Sequence, residues 1–387
     1  MTRQFKVGLI GCGRISDIYL KNCQRFPLLD VVACAALEIE EAKAKAEAYQ
    51  IPSAVTPQEI FENDEIECVL NLTIPAAHSE ISLAALHAGK HVYSEKPFVT
   101  ELADGQKILD LARERNLLVG NAPDTFLGGR WQVCRELIDQ GVIGKPTGVA
   151  AFVGTHGVER HHPNPDFYYK IGGGPLLDLG PYYLTAMVFL LGPIKSVSGM
   201  ARRTFDQRMI ENGPRYGEMM DVEVDTHVLS NLEFMSGEIG SMTMSFDVWD
   251  SETPRFEIYG EEGTICIPDP DPVHGANIFG GEVWFRTKNN SRWTHQPRPT
   301  GRENWLIAEN NFGFNDDCRG LGLLDLAHSV RTGAPHRANG VLAMHICEVM
   351  EGILKSAETG SNELMKTSCE RPHPMSNLTS DPYGATQ

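Results

Sequence analysis

Short apolar segments alternate with helix-forming segments through the first 120 residues, and this alternation restricts the possible folds more than any other feature. The segments between the apolar runs are rich in Ala, Glu, Lys and Leu, which favour helix. Strands joined by helices through short connections form parallel sheets with right-handed crossovers. We therefore predict a doubly wound α/β sheet at the N-terminus. The predicted strands are 5–10, 31–36, 68–72, 91–93 and 117–119, and the predicted helices are 14–25, 40–49, 76–88 and 101–115.

The pattern changes after Asn121. A predicted helix over 129–140 is followed by strand-like segments, and two apolar-periodic helices over 322–331 and 340–356 come last. Strands that follow one another in sequence favour an antiparallel sheet. We predict an α/β domain over 1–121, an α+β domain with a mainly antiparallel sheet over 122–370, and a poorly ordered tail over 371–387. The strand-like segments are 148–153, 194–200, 222–234, 238–247 and 255–259.

Composition excludes several classes of protein. The formal net charge of −17 argues against nonspecific nucleic-acid binding, which needs a basic surface. No apolar run reaches the roughly 18 residues of a membrane span, and no secretory signal is recognised, so we expect a cytoplasmic location without a membrane partner. The nine cysteines show no paired spacing and are expected to be reduced thiols. No metal site is predicted, because no set of ligands has suitable spacing.

A glycine-rich turn, Gly11-Cys12-Gly13, follows the first predicted strand and leads into the first helix. Glycine allows a tight turn and lets the backbone approach a pyrophosphate closely. The helix N-terminus then offers N–H groups and a partial positive charge to the anion. We predict that Gly11, Gly13, Arg14 and Ile15 bind a dinucleotide. Ser16 replaces the third glycine of the usual pattern and is small enough to preserve helix–strand packing.

The end of the second predicted strand bears on the choice of dinucleotide. An acidic residue there normally accepts hydrogen bonds from the ribose 2′-hydroxyl of NAD. Ala36 occupies the expected position and cannot do this, whereas Glu38 lies close enough to substitute. A solvated charge at a helix start is the alternative interpretation of Glu38. No Arg or Lys lies at this strand end to receive a 2′-phosphate, so NAD is favoured and NADP stays possible.

Two further motifs accompany the turn. Glu95-Lys96-Pro97 follows the predicted strand 91–93, and a Gly-Gly-Gly stretch from Gly172 leads to Asp178 and Tyr182. With the N-terminal turn and in this order, these motifs resemble the Gfo/Idh/MocA oxidoreductases. The resemblance runs from residue 5 to about residue 356. It implies an N-terminal Rossmann domain and a second domain with an open-faced sheet, which often forms a homo-oligomer (dimer or tetramer).

The resemblance also implies roles for individual residues. Lys96 would touch both the substrate and the nicotinamide ribose, with Glu95 and Pro97 in the same signature loop. Thr73, Pro75 and His78 match the segment that passes the cofactor after the predicted strand 68–72. Tyr182 occupies a position that is histidine in many members, which leaves the acid–base residue open between Lys96 and Tyr182.

The residues themselves are compatible with this chemistry. Oxidation of an alcohol carbon requires loss of the hydroxyl proton, and a group poised near neutral pH performs this best. Burial beside a cationic nicotinamide would lower the pKa of a lysine. Asp178 and Tyr182 are four residues apart and would share one face of a helix, where Asp178 would hold substrate hydroxyls. The alternatives are a surface charge for Lys96, a helix N-cap for Asp178 and a core aromatic for Tyr182.

Asp124 and His156 are further substrate-binding candidates. Asp124 lies where the chain leaves the first predicted domain and could instead cap the helix that begins at Gly129. His156 follows the strand-like segment 148–153 and precedes the Gly-Gly-Gly motif. Both would contact a carbohydrate-like small molecule.

Three functions compete. The leading hypothesis is an NAD(P)-dependent dehydrogenase or reductase for a sugar, polyol or related compound. Some relatives are NAD-dependent glycosidases that work by transient oxidation and elimination. The third possibility is a non-catalytic dinucleotide-sensing regulator, against which the presence of both Lys96 and Asp178 argues.

Overall fold

The structure is a computed structural model that describes residues 3–268, 279–289 and 305–375. It divides into two compact units. Among the described residues, the first unit comprises 3–128, 313–347 and 375, and the second comprises 129–268, 279–289, 305–312 and 348–374. Most of the predicted tail, 376–387, lies outside the described residues. The predicted boundary at 121/122 differs from this division, since it assigned 313–347 to the second domain. Within the first unit, Gly120 forms an isolated antiparallel bridge with Asn339. The two residues lie far apart in the chain, so the sequence pattern gave no sign of this pairing.

Helices and strands alternate in the N-terminal part and strands dominate afterwards. The helices are α1 Ser16–Cys23, α2 Ile39–Tyr49, α3 Pro57–Glu62, α4 His78–His87, α5 Leu102–Arg115, α6 Gly129–Asp139, α7 Pro175–Leu191, α8 Leu321–Thr332 and α9 Gly340–Thr359. The first nine strands are β1 Phe5–Ile10, β2 Leu29–Ala35, β3 Ser53–Val55, β4 Cys68–Asn71, β5 His91–Ser94, β6 Val119–Asn121, β7 Pro146–Gly154, β8 Ile194–Arg202 and β9 Gln207–Met209. The others are β10 Met219–Asp221, β11 His227–Phe234, β12 Ile239–Ser245, β13 Phe256–Gly260, β14 Gly263–Ile267, β15 Trp284–Thr287, β16 Leu306–Ile307 and β17 Glu363–Leu364.

The sheet of the first unit is parallel and has the strand order β3-β2-β1-β4-β5-β6. This is the order of a doubly wound Rossmann sheet, whose ligand site lies at the carboxyl ends of the strands. The predicted fold class is thereby confirmed. The prediction omitted β3 and α3, because a three-residue strand leaves little periodicity. For α3 a signal was present: Thr56 and Glu59 form a capping box, with Pro57 at the first helical position.

The second unit is built on a mixed sheet with the strand order β16-β15-β14-β13-β7-β12-β11-β8-β17. The β12–β7 pair is parallel, and the other pairs described in this sheet are antiparallel. The prediction of a mainly antiparallel sheet is confirmed. Alternate residues along β11 and β12 are buried and exposed, as expected for a sheet with one covered face.

Helix α7 packs against β7, β11 and β12 and covers one face of this sheet. It is apolar on nearly every side, so most of its residues are buried. It begins at Pro175, so the helix includes both Asp178 and Tyr182. Pro175 occupies the first helical position, where its missing N–H leaves no hydrogen bond unmade, and Pro181 lies inside the helix.

The polypeptide shows no sign of a bilayer-crossing helix: within the described residues, no helix combines the necessary length and apolarity.

Candidate active site

The turn after β1 can be formed only by glycine at its first position. Gly11 has φ +104°, and a Cβ there would lie 2.5 Å from the carbonyl carbon and oxygen of Leu72. The N–H of Gly11 donates to the carbonyl oxygen of Ala35 at 2.8 Å, which fixes the turn against the end of β2. Any side chain at Gly11 would therefore displace the backbone after β4.

Gly13, in contrast to Gly11, has open space beside it. A Cβ built on Gly13 would meet no heavy atom of the described residues within 4 Å, so its face of the turn is open. Ser16 stabilises the turn, because its buried hydroxyl donates to the Gly13 carbonyl oxygen at 2.7 Å. The replacement of the third glycine therefore adds a hydrogen bond within the turn. Gly13 and Arg14 are exposed and Ile15 is half-buried, just before α1 begins.

These features fit a dinucleotide pyrophosphate. The N–H groups of Ser16 and Asp17, which begin α1, donate to carbonyl oxygens of the turn at 3.0 and 3.3 Å. An anion would therefore meet the N–H groups of the turn from Gly13 to Ile15, where the helix dipole places partial positive charge. The open face of Gly13 provides room for a phosphate to approach those groups.

The residues that follow β2 differ in their exposure to solvent. Ala36 is buried, whereas Leu37 and Glu38 are exposed. Glu38 has extended backbone and occupies the N-cap position of α2, and its side chain makes no capping hydrogen bond. Its carboxylate therefore projects at the carboxyl edge of the sheet, where the resemblance implies a ribose contact.

The segment after β4 is fixed from within. The Asn71 side chain is buried; its Oδ1 accepts from the Thr73 hydroxyl at 2.7 Å, and its Nδ2 donates to the His78 carbonyl oxygen at 3.1 Å. Thr73 is half-buried and Pro75 is exposed, so both are accessible from the carboxyl edge of the sheet.

His78 has a different placement from the one we expected. Its side chain is 1% exposed, and its ring nitrogens lie 2.8 Å from the Pro97 carbonyl oxygen (Nδ1) and 3.0 Å from the Thr73 carbonyl oxygen (Nε2). A buried ring with both nitrogens facing backbone oxygens has no atom left for a cofactor. The expected cofactor contact of His78 is therefore corrected: the ring connects the segment after β4 to the loop after β5. Both oxygens only accept hydrogen bonds, so a hydrogen bond to either one requires the facing ring nitrogen to carry a proton.

Glu95 is also directed inward. One carboxylate oxygen, Oε1, accepts from the Tyr19 hydroxyl at 2.9 Å, and Oε2 accepts from the backbone N–H of Lys96 at 2.7 Å. Tyr19 is completely buried on α1, and Glu95 is buried too. The Glu95 carboxylate thus anchors the signature loop, and its expected cofactor contact is corrected in the same way. Lys96 is half-buried and joined to Pro97 by a cis peptide bond.

Asn121 was not predicted and holds the same loop from the other side. Its Nδ2 atom donates to the Ser94 carbonyl oxygen at 3.0 Å, the Ser94 hydroxyl at 2.9 Å and the Glu95 carbonyl oxygen at 2.9 Å. Asn121 ends β6 and is buried. A polar residue at the carboxyl end of a buried strand was the available signal for it. Tyr19, His78 and Asn121 therefore fix the Lys96 loop from three elements of the first unit.

Asp124 does not lie where a substrate could reach it. Its side chain is 0% exposed, and its Oδ2 accepts from the N–H groups of Gly320 and Gly322, each at 2.8 Å. Both expectations for Asp124 are corrected: it anchors the N-terminus of α8, neither contacting substrate nor capping the helix at Gly129. Burial raises the pKa of this carboxyl group to about 6, although the two backbone donors oppose that shift.

In the second unit, Asp178 and Tyr182 lie one turn apart on α7, as expected. Asp178 is in the first turn and half-buried, and Tyr182 is buried. The Asp178 N–H donates to the Gly174 carbonyl oxygen at 3.0 Å, which is a bond of the helix itself. The N-cap is Gly174, so the alternative interpretation of Asp178 as an N-cap is wrong. The glycines before α7 are required in part by space: a Cβ on Gly173 would lie 2.5 Å from the Tyr168 carbonyl oxygen.

His156 follows β7 in the second unit and stacks on Trp249, with ring centroids 3.4 Å apart. Burial and the Arg208 guanidinium lower the pKa of His156. Trp249 was not predicted. No group of three or more His, Cys, Asp or Glu side chains in the described part of the chain is arranged to hold a metal ion.

Comparisons with known proteins agree with these features. Residues 5–122 match the family profile described as an oxidoreductase family with an NAD-binding Rossmann fold. Residues 131–266 match the profile of the GFO/IDH/MocA C-terminal domain. The first profile matches part of the first unit, and the second profile matches part of the second unit.

Individual relatives are moderately similar. The chain is 30% identical to trans-1,2-dihydrobenzene-1,2-diol dehydrogenase of Xenopus tropicalis over 71% of this chain and 85% of that protein. It is 31% identical to dTDP-3,4-didehydro-2,6-dideoxy-alpha-D-glucose 3-reductase of Saccharopolyspora spinosa over 50% of this chain, a match that spans 58% of that relative.

A solved structure shares the fold. Levoglucosan dehydrogenase in complex with NADH and levoglucosan superposes with a TM-score of 0.78, at 17% identity, over 94% of this chain and 100% of that one. The two relatives above are named as a dehydrogenase and a reductase, which favours redox chemistry over a glycosidase or a sensor. The chain therefore belongs to the Gfo/Idh/MocA family, and it is an NAD(P)-dependent dehydrogenase or reductase.

Proposed function

We propose that this enzyme transfers a hydride between a nicotinamide dinucleotide and a hydroxyl or carbonyl carbon of a sugar, polyol or related compound. One observation carries the proposal: the Lys96 loop is bound through Glu95 to Tyr19 on α1, the helix that begins at the dinucleotide turn. The nicotinamide ring, when bound, supplies or accepts the hydride. The relatives support the substrate class, since their names specify a dihydrodiol, a dideoxyglucose derivative and levoglucosan.

Each residue has a proposed role. Lys96 transfers the proton of the reacting hydroxyl or polarises the carbonyl, and Tyr182 is the alternative acid–base group. Asp178 accepts hydrogen bonds from substrate hydroxyls. Gly13, Arg14 and Ile15 surround the pyrophosphate with backbone N–H groups, while Thr73 and Pro75 line the cofactor site.

We propose NAD as the preferred dinucleotide. The exposed Glu38 carboxylate is suited to accept hydrogen bonds from a ribose 2′-hydroxyl and would repel a 2′-phosphate. The two lysines of α2 already have acidic partners: Lys43 pairs with Glu40 at 2.7 Å, and Lys45 pairs with Asp17. A 2′-phosphate would have to compete with those carboxylates.

The test is a turnover assay in the oxidative direction, followed at the nicotinamide absorbance band with NAD and with NADP, on myo-inositol, D-glucose, levoglucosan and D-glucitol. We expect cofactor reduction with at least one of them, and a loss of roughly 10²- to 10⁴-fold in kcat/KM for Lys96→Ala. Lys107→Ala removes an exposed lysine of α5 that pairs with Asp104, and it is the matched control. Turnover that persists in Lys96→Ala would refute the role of Lys96. Bond cleavage without net cofactor reduction would instead indicate the glycosidase mechanism.

We also propose that the enzyme is a homo-oligomer that pairs through the uncovered face of its second sheet. Met200 on β8 and Leu229 on β11 are direct cross-strand partners, and both are exposed. Ser198, Asn231 and Ser241 form the next row of the same face without charge. The centre of this face thus carries apolar and uncharged polar side chains, with Arg202 and Glu233 at its two ends, and such a centre suits a second copy of the same surface. Light scattering after gel filtration should show a dimer or tetramer, and Leu229→Lys should shift it towards monomer; an unchanged oligomer in that variant would refute this interface.

A further inference from the structure

Trp249 forms a flat, exposed aromatic surface in the second unit. Its indole lies on the His156 imidazole with ring centroids 3.4 Å apart and an interplanar angle of 15°. Trp249 is nevertheless 68% exposed. Because His156 covers one face of the indole, the exposed area comes from the opposite face and the ring edges.

The backbone under both rings is held in place. The Val248 N–H donates to the Thr155 carbonyl oxygen at 3.0 Å, which joins the segments that carry Trp249 and His156. The Arg208 guanidinium donates to the His156 carbonyl oxygen at 3.4 Å and to the Glu159 carboxylate at 2.6 Å. The orientation of the stack is thus set before any ligand arrives, which reduces the entropy lost on binding.

A buried ionic cluster reinforces this support. Arg208 also pairs with Asp247, two residues before Trp249, and the Tyr169 hydroxyl donates to Glu159. Gly157, next to His156, has φ +91°, and a Cβ there would collide with the Glu159 carboxylate. The position next to His156 is therefore restricted to glycine by the same cluster.

A cation lies close to the exposed indole. The guanidinium carbon of Arg160 lies over the Trp249 ring at 5.3 Å from its centroid, which is beyond van der Waals contact. Arg160 pairs with Glu211 at 3.5 Å, and both side chains are partly exposed, so the pair is weak and the guanidinium can also donate to a ligand. An apolar ring with a guanidinium donor close to it matches a saturated ring that has C–H groups on its face and hydroxyl groups around it.

We propose that the open face of Trp249 binds a pyranose ring by stacking, with Arg160 donating to a hydroxyl group at the ring edge. This inference rests on the proposed function, because the ring belongs to the carbohydrate-like substrate. It makes that function more specific: the substrate is a cyclic sugar or contains one, and an open-chain polyol lacks the flat C–H face that the indole recognises.

The test uses methyl β-D-glucopyranoside, whose axial C–H groups line both ring faces, and D-glucitol as the open-chain control. Saturation-transfer NMR on the purified protein without dinucleotide should show protons of one ring face (H1, H3 and H5, or H2 and H4) receiving most of the saturation. Trp249→Ala should weaken binding by roughly five- to tenfold, and Trp249→Phe should retain part of it. D-glucitol should bind the wild type and Trp249→Ala equally weakly.

Tyr216→Ala is the matched control, since Tyr216 is also an aromatic residue of the second unit and is 69% exposed. It should leave sugar binding unchanged, and all variants should unfold within a degree or so of the wild type because exposed substitutions change stability little. The proposal that Trp249 binds a pyranose would be overturned if the wild type bound no pyranoside, or if Trp249→Ala bound the pyranoside as tightly as the wild type. Neither measurement involves a dinucleotide or turnover, so a failure of the proposed redox function would appear separately, in the turnover assay.

Discussion

The Tyr19 hydroxyl donates a 2.9 Å hydrogen bond to Oε1 of Glu95, and the other oxygen of that carboxylate accepts the backbone N–H of Lys96. Tyr19 lies on α1, directly after the dinucleotide turn, and Glu95 begins the loop that carries Lys96. One buried carboxylate therefore links the helix that faces the pyrophosphate to the loop that bears the proposed proton-transfer residue. Displacement of either element would disturb the other.

Tyr19→Phe tests this link. The substitution removes one oxygen and leaves a buried carboxylate with one donor fewer, which should destabilise the fold by about 1–3 kcal/mol. We expect kcat to fall roughly tenfold, since a displaced catalytic group reacts slowly, whereas KM for substrate should change less. Steady-state kinetics and denaturant unfolding measure the two effects. Tyr216→Phe, at an exposed tyrosine, should change neither; an unaltered kcat in Tyr19→Phe would disprove the link.

Asn121 should matter through its donor group. Asn121→Ala removes the donor shared by Ser94 and Glu95 and should lower the free energy of unfolding by about 1–3 kcal/mol. Asn121→Asp places an anion against two carbonyl oxygens and a hydroxyl, so it should be the more destabilising of the two. Urea titrations of both variants show which one has the lower free energy of unfolding. The interpretation fails if Asn121→Asp is as stable as the wild type at neutral pH.

His91 predicts a pH dependence of stability. Burial lowers its pKa from 6.5 to about 4, and its Nδ1 accepts the Leu118 N–H at 2.9 Å, which only the unprotonated nitrogen can do. The unfolded chain therefore takes up the proton first as pH falls. Stability is fully present above about pH 6.5 and declines towards pH 4, by on the order of 3 kcal/mol at most.

His91→Asn keeps an acceptor near this position and removes the titration, so its unfolding free energy should fall less steeply over the same pH range. The raised pKa of Asp124 gives a slope of opposite sign, because the folded state then holds the proton more tightly between about pH 4 and 6. The difference between wild type and His91→Asn isolates the His91 contribution. Parallel pH curves for the two proteins would show that His91 does not titrate as described.

The sequence was informative where periodicity and order along the chain decide the structure. Regular alternation predicted the parallel sheet, and the spacing of Asp178 and Tyr182 predicted their shared helical face. The sequence was uninformative where hydrogen-bond partners are separated by many residues along the chain. Asp124 binds backbone groups 196 and 198 residues away, and such a pairing leaves no local pattern.

The roles of His78 and Glu95 illustrate a second limit. Both residues occur in the motifs expected to touch the cofactor, yet both side chains point into the first unit. A motif identifies the segment that forms a site, but the direction of each side chain depends on packing. Trp249 was missed for a related reason, because a single aromatic residue after a strand gives no sign that another ring lies beneath it.

The most direct test of the account is dinucleotide binding by Gly13→Ala compared with Gly11→Ala. A methyl group on Gly13 enters open space and leaves the fold intact, whereas a methyl group on Gly11 collides with the backbone after β4 at a position with φ +104°. Thermal unfolding with and without NADH measures stability and binding together, because a ligand that binds only the native state raises Tm.

We predict that Gly13→Ala unfolds like the wild type without ligand but binds NADH roughly tenfold more weakly, a loss of about 1.4 kcal/mol. Gly11→Ala should be destabilised even without ligand. An NADH-induced rise in Tm that is as large in Gly13→Ala as in the wild type would contradict the placement of the pyrophosphate at this turn.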